Sequence, residues 1–267
     1  MGNNVSSNLK NSRLTRKDYW GDRWKRIKLP SEIRWDTASP LTKEILNVFD
    51  TYLPHQSGLT ILEIGGAPGG FLAYFVKQFG YSAYAIDYSD IGCEKLSENF
   101  DIMNLDVTIY KRDIFSDLSD LPLFDIVFST GFIEHFSDLD MVVGRHVNLL
   151  KKGGILVLGV PNLRGITHVV LKRLSPQLLL RHNLEAMDIK NWESFELKHE
   201  LKTVFKGYIG GFEPRNFRRC EDRTLKNQLI RLFFKPLRFL ITDRFRFLRS
   251  FNSIYWSAYF VGIYRKA

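Results

Sequence analysis

Apolar positions in this chain change their spacing several times, and each change marks an element. Leu41, Ile45, Leu46, Phe49 and Leu53 recur at helical spacing behind Ser39-Pro40, a capping serine followed by a proline at the first helical position. Pro54 closes that helix. Short apolar runs then alternate with helical patterns. Strands are predicted over residues 59–64, 82–86, 107–111, 124–129 and 155–160. Helices are predicted over 71–79, 91–100 and 139–150, the last capped by Lys151-Lys152-Gly153-Gly154. Strands alternating with helices imply βαβ units and a parallel sheet covered on both faces. The fold class is therefore α/β, a Rossmann-like doubly wound sheet. Beyond Asn162 the rhythm changes, with helices over 166–180 and 191–201 and strands over 203–209 and 254–264.

Composition places this pattern in one domain with decorations. The chain has 267 residues, 45% of them hydrophobic and 25% charged, enough for one sizeable core. No apolar run reaches the roughly 18 residues of a membrane span, and residues 1–28 lack the apolar centre of a secretory signal. Cys93 and Cys220 form no metal or redox spacing, which suits a reducing compartment. A soluble, cytoplasmic protein is expected. The net charge of +9 is unevenly spread: residues 1–36 carry +5, residues 37–163 carry −8 and residues 164–267 carry +12. Basic flanks around an acidic middle draw in anionic partners. The division follows the charge: residues 1–36 form a basic segment, disordered at its start, and residues 37–267 form one domain. Within that domain, residues 37–162 are the ligand-binding core and residues 163–267 the substrate side.

The candidate chemistry lies at the strand ends, because ligands of open parallel sheets sit outside the carboxyl ends of the strands. The first strand runs into Glu63-Ile64-Gly65-Gly66-Ala67-Pro68-Gly69-Gly70, whose small residues allow close backbone approach to a ligand. The second ends at Asp87, spaced to accept hydrogen bonds from both hydroxyls of a ribose. The third ends at Asp113-Ile114, a carboxylate and an apolar side chain suited to an adenine amine and its ring. The fourth enters Ser129-Thr130-Gly131-Phe132-Ile133-Glu134-His135, a loop facing the reacting end.

These motifs resemble class I S-adenosylmethionine-dependent methyltransferases, most of all the small-molecule branch related to ubiquinone-biosynthesis methyltransferases. The resemblance covers residues 40–162. It implies a seven-stranded sheet with an antiparallel terminal hairpin and S-adenosylmethionine as cofactor. Glu63, Gly65, Gly66, Ala67 and Gly69 would meet its amino-acid end, Asp87 with Tyr88 the ribose, and Asp113 with Ile114 the adenine. Ser129 and Thr130 complete the expected set. Ala67 departs from the family, which usually has glycine there.

His135 is the candidate catalytic base, since imidazole titrates near neutral pH. Packing or loop orientation is its alternative role. Tyr19, Trp20 and Glu134 are candidates on the substrate side, the first two as part of a lid. No metal ligand is expected, and His168, His182 and His199 read as structural or solvated. Residues 223–249 interleave Phe and Leu with Arg and Lys, with Pro236 as a break. That pattern suits an anionic membrane surface, a pocket for a lipid-linked or phosphorylated acceptor, or a cover over the core. The expected reaction is methyl transfer to an oxygen or nitrogen of a small-molecule, glycan or lipid-linked acceptor. RNA methylation is the alternative, but the lysine-aspartate-lysine-glutamate set of ribose-methylating enzymes is missing, and so is an Asn-Pro-Pro-Tyr motif. A dinucleotide oxidoreductase lacks its Tyr-x-x-x-Lys pair. A non-catalytic binding module ranks lowest.

Overall fold

The computed structural model describes residues 13–212 and 251–267, together with Leu232 and Pro236. The expectations for residues 1–12 and for most of 223–249 fall outside the described residues. Seven strands form one sheet: β1 (Thr60–Ile64), β2 (Ser82–Asp87), β3 (Thr108–Lys111), β4 (Phe124–Thr130), β5 (Leu150–Pro161), β6 (Leu201–Phe212) and β7 (Ser257–Lys266). Their spatial order is β3-β2-β1-β4-β5-β7-β6. The first five are parallel, and β7 runs antiparallel to both β5 and β6. This is the expected doubly wound sheet with its antiparallel terminal pair.

The apolar runs exist because both sheet faces are covered, so both sets of alternating side chains must be apolar. On one face Ile61, Ile126, Phe128, Val157 and Val261 pack under α2 (Pro40–Tyr52), α3 (Gly70–Phe79) and α4 (Asp90–Ile102). On the other, Leu62, Val127, Leu156, Leu158 and Phe260 pack under α5 (Leu139–Asn148), α6 (Gly165–Leu174) and α8 (Trp192–Lys198). Trp192 anchors the second face: its ring centre lies 4.2 Å from that of Phe260, and its indole N–H donates to the Ala186 carbonyl at 2.9 Å. Burying an aromatic side chain of this size stabilises by about 3 kcal/mol.

Several boundaries differ from expectation, each for a local reason. Lys151-Lys152-Gly153-Gly154 does not cap a helix, because α5 ends at Asn148. The stretch belongs to β5, where Leu150 pairs with Phe124, a bulge intervenes, and Ile155 pairs with Ile126. Gly153 supplies the positive φ of 74° there. The single helix expected over 166–180 is two, α6 and α7 (Pro176–Leu180). Pro176 disfavours helical backbone at Ser175, which has φ −157° and ψ 62°. The helix expected to reach residue 201 stops at Lys198, and Glu200 at φ 51° turns the chain into β6. Strand β7 begins at Ser257, because residues 254–256 form a turn. The basic N-terminal segment contains a helix that periodicity did not reveal, α1 (Lys17–Lys25), whose Gly21 rests against Ile91 of α4.

Candidate functional site

The chain builds β1, β2 and β3 outward in one direction and β4 and β5 in the other, so the order switches between β1 and β4. The loops leaving those two strands therefore diverge from adjacent ends, and a crevice opens between them. A cavity of about 460 Å³ lies there. Its lining includes Glu63, Gly65, Gly66, Ala67, Thr130 and Gly131 from the loops, and Glu134, His135 and His182 beyond them. Tyr19, Trp20, Arg23 and Trp24 of α1 close the opposite side. A smaller cavity of about 30 Å³ lies beside Asp87 and Tyr88, with Arg13, Trp20, Phe132 and His135 in its walls.

The glycine loop folds on itself so tightly that two of its glycines admit no side chain. A Cβ at Gly65, where φ is +68°, would stand 2.2 Å from the Phe132 ring. A Cβ at Gly66 would stand 1.8 Å from the carboxyl carbon of Glu63. Gly69, at φ +81°, caps α3 and packs on Leu96 and Phe100. Asn99, fully buried on α4, fastens this loop to the N-terminal segment. Its amide donates to the Pro68 carbonyl at 2.8 Å and to the Ser31 carbonyl at 3.3 Å, and its oxygen accepts from Ser31 N–H at 2.7 Å.

Several groups of the crevice carry altered acidity, Glu63, Asp87 and His135 among them. Glu63 is buried, its Oε2 has no hydrogen-bond partner among the described residues, and burial with the nearby Asp87 charge holds its carboxyl well above the usual range. Burial also pushes Asp87 up to about 6, against the lowering effect of the Ser89 N–H that its Oδ1 accepts at 2.8 Å. Burial pushes His135 down to about 3, and the neighbouring His182 adds to the shift. These shifts express the cost of charge in a low-dielectric pocket.

The predicted residues divide by position. Glu63, Gly65, Gly66, Ala67, Thr130, Glu134, His135, Tyr19 and Trp20 line the larger cavity, and Asp87 and Tyr88 the smaller. Ser129 faces neither: it is fully buried, and its hydroxyl pairs with Nε2 of the fully buried His146 at 3.0 Å. Ile114 lies in the core, and Asp113 is paired with Arg13. Sequence reasoning missed Arg13, Arg23, Trp24, Asn99, His146 and the placement of His182. The four-residue spacing of Trp20 and Trp24 on a helical turn was the available signal for Trp24. His182, half-buried, lines the larger cavity with its ring centre 4.6 Å from that of His135. With Glu134 these two imidazoles bring three ligand-type atoms within 4.8 Å of one another, a donor set suited to a divalent cation.

The chain has counterparts among known proteins. A family model described as a methyltransferase domain matches residues 36–207. The chain is 26% identical over 151 residues to a ubiquinone biosynthesis O-methyltransferase of Caulobacter vibrioides, covering 56% of this chain and 58% of that protein. It is 30% identical over 108 residues to the namesake of a Bradyrhizobium species, covering 40% and 41%. The chain thus matches less than two thirds of the length of these relatives. Among solved structures, geranyl diphosphate C-methyltransferase of Streptomyces coelicolor shares the fold with a TM-score of 0.62 at 12% identity, covering 94% of this chain and 98% of that one. A phosphoethanolamine N-methyltransferase of Haemonchus contortus gives 0.54 at 18%, covering 84% and 52%.

Proposed function

Because this chain belongs to the methyltransferase-domain family, we propose that it is an S-adenosylmethionine-dependent enzyme methylating an oxygen or nitrogen of a small-molecule acceptor. The observation that carries the reading is the convergence of a loop in which Gly65 and Gly66 admit no side chain, the buried Asp87 and the Glu134–His135 loop at the sheet's switch point. The residues fit the cofactor. Gly65 to Ala67 leave backbone open to its amino-acid end, and Glu63 offers an unpartnered buried carboxyl oxygen beside them. Asp87 accepts from the ribose hydroxyls once ionised. When bound, S-adenosylmethionine supplies an electrophilic methyl on a cationic sulfur. The chain's own contribution is alignment and proton removal. Trp20, Trp24 and Phe71 line the crevice against water, and His135, which burial holds neutral and only weakly basic, presents its Nε2 lone pair to the acceptor's proton.

The acceptor is settled by methyl labelling of a source-cell extract with purified protein, followed by partition into organic, small polar and nuclease-sensitive fractions. Label in the organic fraction means a lipid-linked acceptor. Label in the small polar fraction means a free metabolite or glycan, and nuclease-sensitive label replaces this reading with RNA methylation.

A peripheral contact with anionic membrane is a second reading. Among the described residues no helix is long and apolar enough to cross a membrane. Yet Ile166, Val169 and Leu180 are exposed on α6 and α7, near Lys172, Arg173 and Arg181 in the chain, and the sequence of residues 223–249 is rich in basic and aromatic residues. Apolar anchors ringed by cations suit an anionic interface. Sedimentation with anionic but not neutral liposomes, weakened by salt, is expected. Equal absence from both discards the contact.

A further inference from the structure

Arg13 occupies an unusual place for a residue on an N-terminal segment. Its guanidinium lies 4.6 Å over the Tyr88 ring, with Phe115 and Phe136 at 5.4 and 5.6 Å, and one of its nitrogens pairs with Oδ1 of Asp113. The backbone holds it there. Arg13 bridges to Phe136, and Leu14 N–H donates to the His135 carbonyl at 2.8 Å. Lys17 pairs with Asp90 at 2.9 Å, and the Trp20 indole donates to the Thr15 hydroxyl at 3.0 Å, fixing the helix that follows. These contacts leave about 30 Å³ beside Asp87 and Tyr88, room for a water or two, whereas pockets that hold organic ligands run to about 300–1,000 Å³.

We infer that Arg13 is a built-in stand-in for the adenine base, which the cofactor must displace to bind. The inference rests on the methyltransferase reading, in which Tyr88 and Asp113 belong to the adenosine subsite. The chemistry matches group for group. A guanidinium is planar and stacks on an aromatic ring as an adenine does. Its N–H groups donate to Asp113, as an exocyclic amine would. Two ligands for one subsite compete, so the apparent affinity for the cofactor falls by the fraction of molecules in which Arg13 is docked. The segment over residues 13–25 thereby couples cofactor entry to its own release, and Trp20 and Trp24 report that movement.

The test uses the full-length protein and S-adenosylhomocysteine as probe, with association followed by tryptophan fluorescence and affinity by calorimetry. Arg13→Ala is expected to associate roughly tenfold faster and bind several-fold tighter, because a part-buried ion pair and a cation–π contact no longer compete. Raising salt is expected to tighten binding to the wild type more than to the variant, since both keep the Lys17–Asp90 pair and only the wild type has the Arg13–Asp113 pair to screen. Arg13→Lys, which keeps the charge and loses the planar stack, falls between. Equal rates in wild type and Arg13→Ala overturn the inference, and weaker binding by the variant makes Arg13 a clamp on the ligand instead. Absence of binding in both proteins, with unchanged melting curves, overturns the methyltransferase reading itself.

Discussion

His135 donates from Nδ1 to the carbonyl oxygen of Arg181 across 2.8 Å, and this bond decides which ring nitrogen can act. A carbonyl only accepts, so the neutral ring carries its hydrogen on Nδ1 and keeps its lone pair on Nε2. Nε2 lies 3.8 Å from the Glu134 carboxylate in the larger cavity. If Nε2 takes the acceptor's proton, His135→Ala should slow turnover by roughly 10²–10⁴-fold while calorimetry finds cofactor affinity intact. A loss below about tenfold would restrict His135 to orienting the loop.

The same ring, with His146, sets how the fold responds to acid. Burial pushes His135 down to about 3 and His146 to about 4, while an unfolded histidine titrates near 6.5. The unfolded chain therefore takes up protons first, and stability present above pH 6.5 is lost as pH falls toward the folded values. Each histidine should cost about 2 kcal/mol between pH 7.5 and pH 5. Urea unfolding at pH 7.5 and pH 5 measures this. The pH dependence in His146→Gln should be shallower by one residue's share.

Asp87 has the opposite sign. Its carboxyl is pushed up to about 6 by burial, so the folded chain holds a proton that the unfolded chain releases near 4. Ionisation thus costs stability as pH rises from about 4 to 6, and Asp87→Asn should be at least as stable as wild type above that window. Only the ionised form accepts from both ribose hydroxyls, so cofactor affinity should fall as pH drops through 6. Asp87→Ala should weaken binding most above pH 6 and abolish this pH dependence, without lowering the melting temperature. Wild-type affinity in that variant would refute the ribose assignment.

Gly65 and Gly66 should tolerate no methyl group. Gly65→Ala meets both a positive φ and the Phe132 ring at 2.2 Å, and a non-glycine residue strained in this way costs about 1–3 kcal/mol. Gly66→Ala drives its Cβ to 1.8 Å from the carboxyl carbon of the buried Glu63, so that side chain must be pushed out of its place in the crevice wall. Both variants should bind cofactor weakly. A melting curve separates loop distortion from loss of fold, and normal affinity in either would contradict this packing.

Removing Trp192 should loosen the helical cover of the second face. Trp192→Ala empties a fully buried site against Phe260 and Tyr264, at a cost of about 3–5 kcal/mol. Denaturant titration measures it.

The sequence by itself determined the sheet and the crevice. Runs such as Ile61-Leu62 and Leu156-Val157-Leu158 are apolar on successive residues because both faces are covered, and that signal is local. Asp87 and the glycine loop were legible for the same reason, since strand ends are read directly from the runs that precede them. Tertiary structure decided what depends on distant partners. Ser129 turned out to face His146, 17 residues on, because β4 side chains alternate and its face was fixed by packing. His182 reached the crevice through a carbonyl bond within its own turn and the seating of α6 and α7, which no spacing encodes. Arg13 met Asp113 across 100 residues, and only folding brings together charges so far apart along the chain.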